Sequence, residues 1–163
     1  MSETTCRCGD LDAIHQLKAR YCRFLDTKDE QGWRTVFADD LVVLLDLAVS
    51  VGGKDPQTAP EITGADNFVP GVLKSLEGAA TVHHCHTPEI TFQSETTASG
   101  IWAMEDHLVY SDGREMFGAG HYHETYEKSD GVWRIKTLHM TRTFQRLIGD
   151  LPTAAPDHLT GTS

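Results

Sequence analysis

Apolar residues recur at helical spacing early in the chain and at strand spacing later. Ile14, Leu17, Tyr21 and the Phe24–Leu25 pair fall three and four apart, which predicts an amphipathic helix from about residue 10 to 26. Asp26-Thr27 reads as a break, with Thr27 or Asp29 capping a short second helix. That helix carries Trp33, Val36 and Phe37 inward and ends at Asp39-Asp40. Leu41 to Val49 is rich in Val and Leu and predicts a buried strand, followed by a turn or loop at Gly52-Gly53-Lys54-Asp55-Pro56. Gly64 to Leu76 returns to helical spacing through Phe68, Val72 and Leu76, although it contains Pro70 and Gly71. From Thr81 onward the pattern is β throughout. Ser111-Asp112-Gly113 and Ser129-Asp130-Gly131 supply hairpin-type turns between alternating segments.

Helices first and a meander of long strands afterwards is an α+β layout, one antiparallel sheet with helices on one face. If the sheet curls around the helices, the enclosed face becomes a pocket. The expected organisation is a flexible tail at 1–9, a single domain at 10–149 and a loose tail at 150–163, where Pro152, Pro156 and Gly161 fall.

Two charged residues interrupt the apolar stripes. Trp102, Met104, Asp106, Leu108 and Tyr110 share one parity along a predicted strand, and Leu138, Met140, Arg142 and Phe144 share one along another. Alternate side chains on a strand face the same side, so each set lines one face. An aspartate and an arginine in such stripes must be paired, neutralised or wet. Asp106 is therefore either an orienting carboxylate for a histidine such as His83, fixing its tautomer, or a structural partner of Arg142. Tyr21 lies on the apolar side of the first helix. Asp26, five residues on, is about 140° away around an ideal helix, so the two converge only if the helix ends or bends there. Polar, titratable groups meeting an apolar concavity is the pattern of a small acid–base site.

Net charge is −10, from 24 acidic and 14 basic residues. That balance excludes a nucleic-acid surface, which must neutralise phosphate, and disfavours an anionic membrane as partner. No run of about 18 apolar residues offers a membrane span, and the N-terminus has no apolar signal segment. The expected location is cytoplasmic, where Cys6, Cys8, Cys22 and Cys85 stay reduced. Cys6 and Cys8 form a C-x-C without a second pair to complete a zinc site. Histidines cluster at His83, His84 and His86 and at His121 and His123. Parity sets His83 opposite His84 and His86, so a single imidazole with a carboxylate is a simpler reading than a metal site. No nucleophile elbow or phosphate-binding glycine loop is present. No metal and no cofactor is expected.

The stretch His86-Thr87-Pro88-Glu89-Ile90-Thr91, then Ser94-Glu95-Thr96-Thr97-Ala98, Gly100, Trp102 and Glu105-Asp106, resembles the SnoaL-like branch of the nuclear transport factor 2-like superfamily. Tyr126-Glu127-Lys128, Asp130-Gly131 and Trp133-Arg134-Ile135-Lys136 extend the likeness, which runs from about Ile14 to Phe144. Within that branch the chain is most similar to the bacterial bile acid 7α-dehydratases, and more distantly to the scytalone dehydratases. The resemblance implies a cone-shaped, strongly curved antiparallel sheet wrapped around N-terminal helices, and a homo-oligomer, trimer or dimer.

It also implies a cofactor-independent dehydratase acting on a hydroxylated steroid-like or polycyclic ketone. The implied catalytic set is Tyr21, Asp26, His83, Asp106 and Arg142, with Asp106 poising His83. Trp102, Met104, Leu138, Met140, His84 and Tyr122 are expected to line the substrate pocket. The alternatives on the same fold are a ketosteroid-type isomerase, a polyketide cyclase, or a non-catalytic binding or assembly subunit such as a ring-hydroxylating dioxygenase small subunit.

Overall fold

The structure is a computed structural model that describes residues 7–48 and 57–149. Three helices, α1 (Cys8–Asp26), α2 (Glu30–Arg34) and α3 (Ala65–Ser75), pack against one sheet. Its strands are β1 (Phe37–Ala48), β2 (Gln57–Thr58), β3 (Ile62–Thr63), β4 (Ala80–Cys85), β5 (Glu89–Phe92), β6 (Thr97–Val109), β7 (Glu115–Ser129) and β8 (Val132–Ile148). The order across the sheet is β2-β1-β8-β7-β6-β4, with β3 on β1 and β5 on β6. The expected α+β architecture is present. One pairing departs from the antiparallel expectation, because β1 lies parallel to β8. The whole domain intervenes between those two strands, so no short turn forces them antiparallel.

Local chemistry explains the elements. Ile14, Leu17, Lys18, Tyr21 and Leu25 form the buried stripe of α1. Asp29 caps α2 by accepting a hydrogen bond from the Gly32 backbone N–H at 2.8 Å. The second helix is shorter than the sequence suggests. It stops at Arg34, and Val36, Phe37 and the Asp39-Asp40 pair belong to the turn and the start of β1. Phe37, Leu41 and Val43 are all buried, so β-branched and aromatic burial there overrides helical spacing. α3 tolerates Pro70 inside it at the loss of one backbone hydrogen bond. The β7–β8 hairpin turns on Asp130 (φ 52°) and Gly131 (φ 77°), both left-handed, as a two-residue primed turn requires.

The long strands set which side chains meet the helices. On β7, Met116, Tyr122, Glu124 and Tyr126 are buried together with Gly118 and Gly120 between them. β8 changes face twice along its length. Thr125 pairs with Thr137 and Tyr126 with Ile135, leaving Lys136 as an extra residue. Ala119 pairs with Phe144 and Gly120 with Arg142, leaving Thr143 as another. Each bulge flips the parity downstream. Trp133 and Ile135 face inward, then Leu138, Met140 and Arg142, and finally Gln145. Phe144, expected on the same stripe as Arg142, is 42% exposed on the other face.

The expected loose segments fall mostly on residues 1–6 and 150–163, and the loop at 52–56 likewise lies outside the described residues; α1 itself already begins at Cys8. Among the described residues no helix is long and apolar enough to cross a membrane.

Candidate functional site

The inner face of the sheet and the helices enclose a cavity of about 240 Å³. Apolar side chains from α1, α3 and the strands form most of its wall, including Leu25, Phe68, Val72, Leu108, Met116 and Met140. Its polar groups include Tyr21, Ser75, His83, Asp106, Tyr122, Arg142 and Gln145. A larger open depression, about 550 Å³, lies outside between α2 and α3. It is walled by Arg34 and Asp66, whose carboxylate is 86% exposed, and it holds no comparable convergence.

His83 is held by the end of α1. Its Nδ1 lies 2.6 Å from Asp26 Oδ1, and its backbone N–H donates to Asp26 Oδ2 at 2.9 Å. The Thr81 hydroxyl donates to Asp26 Oδ1 at 2.9 Å, and Lys28 Nζ donates to that hydroxyl at 2.7 Å. The helix stops at Asp26 itself, which frees this side chain to turn toward β4 rather than follow the helical screw. Burial works to raise the Asp26 pKa. Hydrogen bonds from the His83 ring and backbone and from Thr81 outweigh it and keep the carboxyl below its ordinary range. An ionised Asp26 at Nδ1 fixes the imidazole tautomer and leaves Nε2 as the ring nitrogen available to a ligand.

Of the two readings of Asp106, the structure shows the pair with Arg142. Asp106 is the cross-strand neighbour of His83, yet its carboxylate is taken by Arg142 in a bidentate pair, Nη1–Oδ1 and Nη2–Oδ2 both 2.7 Å. The orienting carboxylate for His83 is therefore Asp26, not Asp106. Burial opposes the charge on Arg142, but the Asp106 carboxylate more than restores it.

The pair spans from β8 to β6 across β7, and Gly118 makes this possible. A Cβ at Gly118 would sit 2.4 Å from Arg142 Nη1 and 2.6 Å from Asp106 Oδ1. We expect Gly118→Ala to cost about 1–3 kcal/mol through overpacking of a pinned ion pair. Urea unfolding at neutral pH checks this, and an unchanged midpoint would mean that the guanidinium has room to yield.

Tyr21 is packed edge-on against Trp33, Phe37 and Tyr122, with ring centroids 5.5, 5.8 and 5.6 Å away. Burial, then the nearby Glu124 charge, pushes its hydroxyl well above the ordinary range, so it stays protonated. Burial and the neighbouring Tyr21 do the same to Tyr122. Three polar atoms of cavity-wall residues, Trp33 Nε1, Arg142 Nε and Gln145 Oε1, are buried without a hydrogen-bond partner among the described residues. Buried donors and acceptors left in this way are positions where a ligand gains hydrogen bonds.

The expected pocket lining is corrected in part. Tyr122 and Met140 line the cavity. Met104 and Leu138 are buried but stand behind the wall, and Met104 Sδ lies 3.9 Å from Arg142 Nη1. Trp102 is tied to Tyr126, its Nε1 donating to the phenol oxygen at 2.6 Å, and borders a separate cavity. His84 points outward, its side chain 62% exposed and 3.4 Å from Glu105. Among the described residues no group of three or more His, Cys, Asp and Glu side chains is placed to hold a metal ion.

Three contributors escaped the sequence reading. Gln145 was hidden by the bulge at Thr143. Lys18 and Glu124 form a buried pair, Nζ–Oε1 2.5 Å, beneath the site. Their positions carried a signal: Lys18 lies on the Ile14–Leu17–Tyr21 side of α1, and Glu124 shares parity with Tyr122 and Tyr126.

The family follows from comparison. Residues 7–139 match the SnoaL-like domain. The chain belongs to the SnoaL-like domain family. This SnoaL-like domain is 25% identical over 141 residues to the Probable cyclase FGR4 of Gibberella zeae, covering 83% of this chain and 92% of that protein. It superposes on the hexachlorocyclohexane dehydrochlorinase LinA-type3 of Novosphingobium barchaimii with a TM-score of 0.72 at 17% identity, over 92% of this chain and 97% of that one. A scytalone dehydratase candidate from Novosphingobium aromaticivorans gives a TM-score of 0.69 at 23% identity, over 84% and 86% of the two chains. The β subunit of an aromatic-ring-hydroxylating dioxygenase candidate from the same organism gives 0.66 at 20% identity, over 83% and 90%. Likeness at these identities establishes the cone-shaped fold of the nuclear transport factor 2-like proteins, on which both enzymes and assembly subunits are built.

Proposed function

We propose that this SnoaL-like domain is a cofactor-independent lyase that eliminates water from a hydroxylated, mostly apolar cyclic ketone. The observation that carries the proposal is His83, held by Asp26, in the wall of a largely apolar cavity. His83 Nε2 takes a proton from the carbon next to the substrate carbonyl. The electron pair moves onto the carbonyl oxygen, where Arg142 Nε–H and a tyrosine hydroxyl, Tyr21 or Tyr122, donate to the developing enolate. The enolate then collapses and breaks the β carbon–oxygen bond. The departing hydroxide takes the proton from His83 and leaves as water. Atoms and electrons balance without a cofactor, and one imidazole serves as base and then as acid.

The resemblance to bile acid 7α-dehydratases favours a steroid-like substrate, and the scytalone dehydratase likeness a fused bicyclic one. Cavity volume favours the smaller. About 240 Å³ exceeds the roughly 150 Å³ that encloses a benzene by less than one further ring. The cavity takes one ring and part of a fused second, and most of a four-ring ketone would lie outside.

A cyclase of the same domain would use the same proton abstraction, and the Gibberella zeae relative gives that reading its support. The test is a panel of β-hydroxy ketones of two or more fused rings, with vinylogous 3-keto-4-ene hydroxysteroids and an open-chain polyketide ketone beside them. Loss of water is followed by mass and by the ultraviolet band of the extended conjugation, with His83→Ala beside the wild type. Water loss that vanishes in the variant supports the dehydratase. Ring closure without water loss moves the assignment to the cyclase, and no turnover on the whole panel moves it to an assembly subunit.

A further inference from the structure

A second cavity, about 270 Å³, lies between α1 and β4 and shares His83 with the first. His15, Lys18, Cys22, Cys85 and Trp102 are in its wall. Cys22 and Cys85 are 63 residues apart in the chain, yet their Sγ atoms are 3.6 Å apart. Both thiols are free and partly buried. The elimination uses neither. Each is tied by position to a residue it does use, Cys22 following Tyr21 on α1 and Cys85 two places after His83 on β4.

We propose that Cys22 and Cys85 are a redox-active dithiol that a small-molecule disulfide of the glutathione class converts to a disulfide, cross-linking α1 to β4 beside His83. A disulfide bond is about 2.05 Å long, so the sulfurs must close by ~1.5 Å. The two sulfurs already face one another at the contact distance of a thiol pair.

The Cys85 hydrogen bond and then the Lys18 ammonium hold Cys22 below the ordinary thiol range, against the effect of burial. Cys85 is pushed up by the same contact and by burial. Cys22 follows Lys18 by one turn of α1, and we take it as the attacking thiolate. It attacks one sulfur of the reagent, forms a mixed disulfide and expels one thiolate. Cys85 then loses its proton and attacks the Cys22 sulfur, and the second reagent thiolate leaves. Two protein thiols lose two electrons and two protons, and the reagent disulfide is reduced to two thiols.

The experiment uses the full chain carrying Cys6→Ser and Cys8→Ser, so that only this pair can react. The protein is incubated with excess glutathione disulfide, alkylated and weighed intact without reductant. The expected result is the loss of two hydrogens, no alkylation, and a proteolytic peptide pair joining Cys22 to Cys85. Closing so long a loop should also raise Tm by roughly 5–10 °C, reversibly with reductant. With Cys85→Ser the reaction should stop at the mixed disulfide on Cys22. Two alkylated thiols, or a mixed disulfide that persists while Cys85 is present, would overturn the proposal. Neither readout depends on the elimination chemistry.

Discussion

Replacing His83 by alanine should lower turnover of the eliminated ketone by about 10²–10⁴-fold with little change in KM, the span expected for a positioned acid–base group. The imidazole is within the cavity wall, and its loss removes a proton acceptor without removing the apolar surface that binds substrate. Asp26→Asn should act through the same ring. An amide can offer its N–H to Nδ1 and so hold the wrong tautomer, with the proton on Nε2, where it blocks abstraction.

A stability measurement separates this role from mere packing. The Asp26 carboxyl has a folded pKa below its ordinary value of about 3.9. Its contribution to stability is therefore present above the unfolded value and is lost as pH falls through the folded one. Wild type should exceed Asp26→Asn in urea midpoint at neutral pH, and the gap should close below about pH 4. A gap that persists to pH 2, or turnover retained in both variants, would remove the dyad from the chemistry.

How far the sequence discloses this site depends on the element that carries each residue. Alternation along β6 is uninterrupted from Ala98 to Leu108, so Asp106 is legible as an inward charge. Alternation along β8 is broken at Lys136 and Thr143, and a bulge has no reliable residue signature. Arg142 is placed correctly because it lies between the two, whereas Phe144 and Gln145 exchange faces. The partnership of His83 is illegible for a different reason. His83 and Asp106 are cross-strand neighbours, and strand reasoning alone makes them partners. What separates them comes from outside that strand pair, the end of α1 bringing Asp26 down onto His83, and Gly118 letting Arg142 cross β7 to Asp106. The second of these is readable only as a glycine on a central strand, where its packing value would otherwise be poor.

Lys18→Met should destabilise the fold by about 3–5 kcal/mol. Lys18 and Glu124 are almost fully buried, their side chains 2% and 0% exposed. The ammonium lies 4.0 Å from the Tyr21 ring centroid and 3.6 Å from that of Tyr122. The other Glu124 oxygen accepts from the Tyr126 hydroxyl at 2.6 Å, which in turn accepts from Trp102. Removing Lys18 leaves a buried carboxylate without its cation. Removing the charge from both partners is a different perturbation.

Lys18→Met with Glu124→Gln keeps the volume and an amide oxygen for Tyr126, and should recover most of the loss, to within about 1–2 kcal/mol of wild type. Urea unfolding of the four proteins of this cycle gives the coupling directly. A double variant no more stable than Lys18→Met alone would show that the loss comes from packing of the lysine stem and not from the orphaned charge. If the coupling is large, α1 is locked to β7 at Tyr21 and Tyr122 by the pair. The two hydroxyls offered to the enolate are then held in place from beneath, by groups that never touch the substrate.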